Sequence, residues 1–322
     1  MSQEFWDVFL DDTSSEPAIK NPVFLVGTVR SGTTFFPVML QRASANKLVY
    51  CGFEMNAFWT RTGKVSIAMG ETAECVTGEA RGAEDAEPLQ SVRLRKVFFE
   101  FLRDKAKVEL GDADPTTLRI LNKNPFLCNK LPLVSKLFPD AQYIWIHRNL
   151  ISVVASTKIL TQINYLNTLY WWHWPLSDDQ NTPRCFSGYP GMIPPKGIDR
   201  SRWFPGGNIR YLAEYWLESN EAVKKHFKTL PKEKYIEISY ESFVENPTGE
   251  LQKSLNLVGI PVDPDFSIGE EEVLPRNKLT KSRLTPDEKK ELFDFVKLNW
   301  KRMNELFPDR YKDLKSALQE FE

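Results

Sequence analysis

The stretch from Pro22 to Leu40, P-V-F-L-V-G-T-V-R-S-G-T-T-F-F-P-V-M-L, constrains the fold more than any other part of the chain. Val23 to Val26 form a short apolar run with the character of a buried strand. Gly27 opens a turn, Gly32 closes it, and an apolar run at helix-like spacing follows. Strand, glycine-bounded loop and helix in that order make an anion cradle. The first amides of a helix have no partner within it and point at whatever sits in the loop. A glycine, lacking Cβ, lets a phosphate come close to the backbone. The spacing approaches the triphosphate-cradling loop G-x-x-x-x-G-K-[ST]: Gly27, Gly32 and Thr34 are in place, but Thr33 stands where the lysine belongs. That lysine serves the β- and γ-phosphates, so its loss argues against kinase or ATPase chemistry. A cation stands earlier instead, as Arg30 inside the loop. Such a loop fits a nucleotide whose transferred group carries less charge and needs no metal.

Strands and helices alternate through the next hundred residues. Residues 47–59 are a short apolar segment broken by one carboxylate, Glu54, and 60–87 read as a loop or lid. Residues 88–107 have the pattern of an amphipathic helix. Leu118–Leu121 reads as a second strand, followed by a helix of about ten residues over 127–138. Gln142–His147 reads as a third strand, with a helix over 149–162 behind it. After an irregular insertion at 163–208, a long helix is expected over 208–230, a fourth strand at Tyr235–Ser239, and helices over 248–258, 286–305 and 310–320. Thr285-Pro286-Asp287-Glu288 reads as the N-cap of the first of the last two. Pro37 falls inside the helix after the cradle and is expected to kink it. This alternation predicts a three-layer, P-loop-like α/β fold, a central parallel sheet with helices on both faces. Residues 1–21 read as a tail and 22–322 as a single domain. In such sheets ligands sit beyond the carboxyl ends of the strands.

The loop G-T-V-R-S-G-T-T resembles the 5′-phosphosulfate loop of the sulfotransferases, which take 3′-phosphoadenosine 5′-phosphosulfate (PAPS) as donor. A second match lies at the end of the strand Q-Y-I-W-I-H, where Arg148 is followed eight residues later by Ser156. Strand, Arg and Ser at this spacing resemble the family's 3′-phosphate motif. By that resemblance Arg30, Ser31, Gly32, Thr33 and Thr34 hold the 5′ end of the donor, and Arg148 and Ser156 hold the 3′-phosphate. The segment K-Y-I-E-I-S-Y-E-S-F-V-E-N-P, with V-G-I-P after it, resembles the family's late segment, so the likeness runs from about residue 22 to 262. It implies a place near the adenine for Tyr240, which reads equally as a core tyrosine at a strand end. A basic element normally closes over the nucleotide. Arg276, Lys278, Lys281, Ser282 and Arg283 stand where it is expected, Lys278 and Arg283 being the candidates, though no strict pattern is kept.

Sulfuryl transfer is an in-line displacement with charge building on the bridging oxygen. It asks for cations and backbone dipoles at that oxygen and a base for the acceptor hydroxyl. Arg30 is one candidate cation. Lys123, in K-N-P after the second expected strand, is the other, and the family often has a Lys there. The cytosolic branch uses a His in K-T-H, which Lys123-Asn124-Pro125 lacks. The protein-tyrosine and some carbohydrate branches use a Glu shortly after the first helix. C-G-F-E resembles their C-G-E segment, at a spacing a few residues longer, and makes Glu54 the candidate base. Flanking Phe53, Met55, Phe58 and Trp59 predict an apolar setting, which suits a base. His173, in W-W-H-W, is the competing base.

The aromatic insertion either lines an acceptor site for a sugar ring, flat natural product or lipid, or packs as a lid on the core. Charge is balanced, 42 Lys plus Arg against 43 Asp plus Glu, which gives no support for nucleic-acid binding. Cys51, Cys75, Cys128 and Cys185 make no C-x-x-C pair, so neither a zinc site nor a disulfide framework is expected and a reducing compartment fits. The acidic N-terminus lacks the marks of a signal peptide, and no stretch has the length of a membrane span. A cytoplasmic, PAPS-dependent, metal-free transferase acting on a hydroxyl or amine of a small molecule, natural product or glycan is the expectation. The rivals are a P-loop small-molecule kinase and a non-catalytic protein that binds the product PAP.

Overall fold

The computed structural model describes residues 19–52, 54–55, 58–59, 63, 80–158, 209–269, 272–273, 277 and 282–319. Five strands, β1 (Val23–Val26), β2 (Leu48–Tyr50), β3 (Arg119–Lys123), β4 (Gln142–His147) and β5 (Tyr235–Ser239), form one sheet in the order β2-β3-β1-β4-β5. Every neighbouring pair is parallel. The helices are α1 (Phe35–Ala43), α2 (Gln90–Glu109), α3 (Leu131–Leu137), α4 (150–158), α5 (Ile209–Phe227), α6 (Tyr240–Glu245), α7 (Pro247–Val258), α8 (Pro286–Leu306) and α9 (Leu314–Gln319).

Strand side chains alternate between the two faces of a sheet. Val23 and Leu25 join Phe36 and Leu40 of α1, Phe243 of α6 and Leu251 and Leu255 of α7 in one apolar layer. Phe24 and Val26 join Leu94 and Phe98 of α2, Leu137 of α3, Val154 of α4, Trp216 of α5 and Phe295 of α8 in the other. Both faces of β1 are therefore covered, which is why V-F-L-V is a continuous apolar run rather than an alternating one. The expected three-layer α/β arrangement is what the chain adopts. Among the described residues, no helix is long and apolar enough to cross a membrane.

Several elements differ from the sequence expectation for identifiable reasons. Leu48–Tyr50 is a strand of three residues, so the sheet has one more strand than the four read from sequence. Three residues buried on both faces carry no period that a reader could see. The helix expected over 127–138 is confined to Leu131–Leu137, because Pro125–Leu127 form a 3₁₀ turn capped by the Asn124 side chain, which accepts from Phe126 N at 2.9 Å. Tyr240–Glu245, read only as a short segment, is a helix capped by Ser239. Pro37 occupies the third position of α1, within the first turn, where its missing N–H would have had no intrahelical partner in any case. No kink is needed there. The end of the N-terminal tail is tied down: Ile19 is buried, its carbonyl accepts from Arg95 Nη1 at 2.9 Å, and Asn21 N donates to Asp140 at 2.6 Å. Thr285 caps α8 as expected, and Glu288 reciprocates by accepting from Thr285 N at 2.7 Å.

The sheet order sets where a ligand can sit. The chain leaves β1 toward β2 on one side and leaves β4 toward β5 on the other, so a crevice opens beyond the carboxyl ends of these two adjacent strands. The loop after β1 and the arginine after β4 both lie at its edge.

Candidate active site

The loop between β1 and α1 is shaped by close packing. Gly27 has φ +148°, and a Cβ there would lie 2.0 Å from the carbonyl oxygen of Ile146 on β4. No larger residue fits between the two strands. Ser31 N donates to Thr28 O at 3.2 Å, and the Thr28 and Ser31 hydroxyls pair at 2.5 Å, which rolls the loop into a compact turn. The turn puts Arg30 in the left-handed region, at φ +67°, and turns it to the exposed surface. The amides of Phe35 and Phe36 both return to Gly32 O. Among the described residues, no acceptor meets the amides of Gly32, Thr33 and Thr34. These amides, with the exposed Thr34 hydroxyl, are the donors that an anion at the start of α1 would find.

Arg30 and Ser156, 126 positions apart, meet directly: Arg30 Nε donates to the Ser156 hydroxyl at 2.9 Å. Arg148 Nη1 donates to the Arg30 carbonyl at 3.1 Å, its Nε donates to Asn277 Oδ1 at 2.8 Å, and its guanidinium lies over the Tyr240 ring at 4.3 Å. The same ring reaches Gly32, where a Cβ would come within 2.9 Å of Tyr240 Cδ2. Tyr240 thus touches the loop glycine along one ring edge and carries the arginine over its ring, a stacking position that favours a planar cation. The two motifs that the sequence pairs are brought together, at the distance an arginine side chain spans.

Two neighbouring residues of α5 brace this arrangement. The Tyr215 hydroxyl accepts from Val29 N at 3.3 Å, and Trp216 Nε1 donates to Arg148 O at 2.9 Å. Burial, with the nearby Cys128 adding to it, pushes the Tyr215 hydroxyl well above its ordinary pKa, so it stays neutral. Neither residue was singled out from sequence. An aromatic pair on an amphipathic helix carries no mark that separates a brace from ordinary core.

Glu54 and Lys123 form an ion pair, with the lysine side chain only 3% exposed and the carboxylate 31% exposed. Expectation and structure differ on the surroundings of Glu54: the apolar neighbours Met55, Phe58 and Trp59 are buried, yet the carboxylate itself turns to a buried cation. The backbone here is held by amide side chains of β3 and its end. Asn124 Nδ2 donates to Glu54 O at 3.1 Å, and Asn122 Nδ2 approaches the same oxygen at 3.5 Å. Asn122 Oδ1 in turn accepts from Trp59 Nε1 at 3.0 Å. Arg283 is half-buried, and its carbonyl accepts from the buried Lys158 Nζ at 3.4 Å while that ammonium pairs with Glu288 at 2.6 Å. His173, Arg276, Lys278, Lys281, the insertion at 163–208 and most of the expected lid at 60–87 lie outside the described residues.

A family model described as "Sulfotransferase family" matches residues 22–173, just under half of the chain. No curated protein matches it in sequence. Among solved structures, the sulfotransferase of Alicyclobacillus acidocaldarius is 13% identical, with a TM-score of 0.49, over 92% of this chain and 98% of that one. A sulfotransferase domain from the curacin biosynthetic pathway is 16% identical, with a TM-score of 0.41, over 77% of each chain. A retinol dehydratase solved in complex with androsterone and the inactive cofactor PAP is 11% identical, with a TM-score of 0.32, over 83% of this chain and 65% of that one.

Proposed function

We propose, from the sulfotransferase-family membership of residues 22–173, that this chain transfers a sulfuryl group from PAPS to a hydroxyl or amine of a small molecule, natural product or glycan, releasing PAP. The observation that carries this reading is the direct meeting of Arg30 with Ser156 and of Arg148 with the Arg30 backbone. A cradle for a 5′-phosphosulfate and a cationic pocket for a 3′-phosphate are then two ends of one site.

When bound, the donor supplies a sulfuryl group whose bridging oxygen leaves with negative charge. The amides of Gly32, Thr33 and Thr34 and the Thr33 and Thr34 hydroxyls face the 5′ end. Arg30 covers the loop and exchanges its hydrogen bond to Ser156 for contacts with the nucleotide. Arg148, buried and stacked on Tyr240, gives the 3′-phosphate a fork of donors. Tyr240, packed on both Gly32 and Arg148, serves the nucleotide between its phosphate ends rather than lying open to the adenine alone. Lys278 and Arg283 are the candidates to complete the enclosure; Asn277, adjacent to Lys278 in the chain, touches Arg148. Glu54 removes the acceptor proton. Lys123 orients that carboxylate and offers an ammonium to charge developing at the leaving oxygen. Glu54 is preferred over His173 because it is already seated against this second catalytic candidate. The balanced charge and the widely spaced cysteines favour a cytoplasmic setting.

Calorimetry with PAP, ADP and ATP, followed by an acceptor screen with labelled PAPS in the presence of a chelator, tests the proposal. PAP is expected to bind most tightly and label to move without added metal. Preference for ATP with Mg²⁺-dependent turnover would replace this reading with a kinase. PAP binding without transfer to any acceptor would leave a nucleotide-binding protein.

A further inference from the structure

Arg148 is aimed by groups that no phosphate motif contains. Glu241 follows Tyr240 in the first turn of α6 and points inward. One of its oxygens, Oε1, accepts from Asn149 N at 3.1 Å, Asn149 Nδ2 at 2.8 Å and Asn277 Nδ2 at 3.0 Å. The other is paired with Arg310, from the connection after α8. Asn277 turns its own oxygen to Arg148 Nε. Asn149 also accepts from Ser152 N at 2.8 Å, capping α4, the helix that carries Ser156. A single half-buried carboxylate therefore reaches the start of the serine's helix and Asn277, the one described residue within 274–281, and through Asn277 the guanidinium of Arg148.

The order of these groups matters electrostatically. A carboxylate placed directly on Arg148 would cancel the charge that a phosphate needs. A neutral amide in between transmits position without cancelling charge, and Arg310 takes the carboxylate's charge instead. Burial alone would push Glu241 up, but the Arg310 charge and the Asn149 donors bring it down to about 2, so it remains ionised.

We infer that Glu241 and Asn277 are positioning residues for the 3′-phosphate of the nucleotide, a carboxylate–amide relay that fixes Arg148 and the Ser156 helix in one register. This rests on the reading of Arg148 as a 3′-phosphate ligand. The probes are PAP and adenosine 5′-monophosphate (AMP), which differ only by that phosphate, titrated calorimetrically into wild type, Arg148→Ala, Asn277→Ala, Asn277→Asp and Glu241→Gln. Wild type is expected to prefer PAP, and Arg148→Ala to lose that preference. Asn277→Ala is expected to lower the PAP-to-AMP affinity ratio by roughly tenfold, with AMP binding and melting temperature little changed. Glu241→Gln should act in the same direction; if it fails to fold, the Asn277 variants decide the matter. Asn277→Asp is the sharper test. It keeps an acceptor for Arg148 Nε but sets a negative charge against the guanidinium, and should bind PAP more weakly than Asn277→Ala. A merely structural amide would not show that order. In turnover, the Asn277 variants should raise the KM for PAPS and leave kcat near wild type.

The relay is overturned if Arg148→Ala abolishes the preference for PAP while both Asn277 variants retain it. It is also overturned if Asn277→Asp binds PAP as wild type does. Should wild type show no preference for PAP over AMP, or Arg148→Ala leave it intact, the 3′-phosphate site itself is wrong and the relay goes with it.

Discussion

The two ends of the proposed site are held in different ways. At the proposed donor end, beyond β1 and β4, the loop backbone is held by close strand packing and by buried side chains. Gly27 lies on the Ile146 carbonyl, Arg148 donates to the Arg30 carbonyl, and α5 ties down both the Val29 amide and the Arg148 carbonyl. At the other end, beyond β3, Glu54 is held by side chains: the Lys123 ammonium on its carboxylate, and the Asn124 and Asn122 amides on its carbonyl. Met55 beside it has φ +57°, a conformation that needs such support. The difference fits a division of labour. On the proposed function, the glycine-bounded cradle would meet the donor, and the end that meets the acceptor would depend on side chains.

If that contrast is right, the largest effect in the molecule belongs to Gly27→Ala. The added methyl would meet a backbone oxygen at 2.0 Å, at a φ that side chains seldom adopt, and a β4 strand buried on both faces has no room to yield. A loss of about 4 kcal/mol or more is expected, read as a large fall in the urea midpoint or no folded protein at all. Wild-type stability in this variant would mean that the close approach of β1 and β4 is not what shapes the loop.

Next in size is Glu54→Gln. Turnover with labelled PAPS should fall by about 10² or more, with PAP affinity unchanged, because the amide cannot take the acceptor proton. Lys123→Ala should also depress turnover, since it leaves the carboxylate without its cation. A matching loss of PAP binding in Glu54→Gln would merge the two ends and break the comparison. Full activity would move the base to another residue, His173 being the competitor on the chain.

The same contrast explains what the sequence revealed. The cradle, β4 and the Arg148–Ser156 spacing were legible because backbone constraints leave marks: glycines at fixed positions, an apolar strand, a cation directly after it. Glu54 and Lys123 are candidates only through resemblance to a family, and no feature of the sequence marks their mutual contact. Nothing in C-G-F-E or L-N-K-N-P says that Asn122 and Asn124 reach one carbonyl. Such clasps join segments nearly seventy positions apart without any period or spacing rule. Glu241 was passed over for a related reason. It stands beside the tyrosine that the motif points to, but its partners Asn149, Asn277 and Arg310 come from three distant segments. The strand Leu48–Tyr50 is too short to show alternation, and at Pro37 a single position decides between a first turn and a helix interior.

The smallest effects give the finest test, because they ask whether the two ends can be disturbed separately. Tyr215→Phe removes the acceptor of the buried Val29 amide and little else from a ring held by the core. The lost hydrogen bond is worth about 1 kcal/mol, so PAP affinity should weaken roughly fivefold and the KM for PAPS should rise with kcat unchanged. Asn124→Ala loosens the clasp on Glu54 and should do the reverse, lowering kcat by a factor of similar order while PAP affinity holds. Because the Asn124 side chain also caps the turn at Pro125, its variant should melt earlier, and kcat must be measured well below that temperature. Opposite responses in KM and kcat would establish that the donor cradle and the base are separately supported. If both variants changed the same parameter, the two ends would have to be treated as one coupled unit, with the β1–β3 pairing as the physical connection between them.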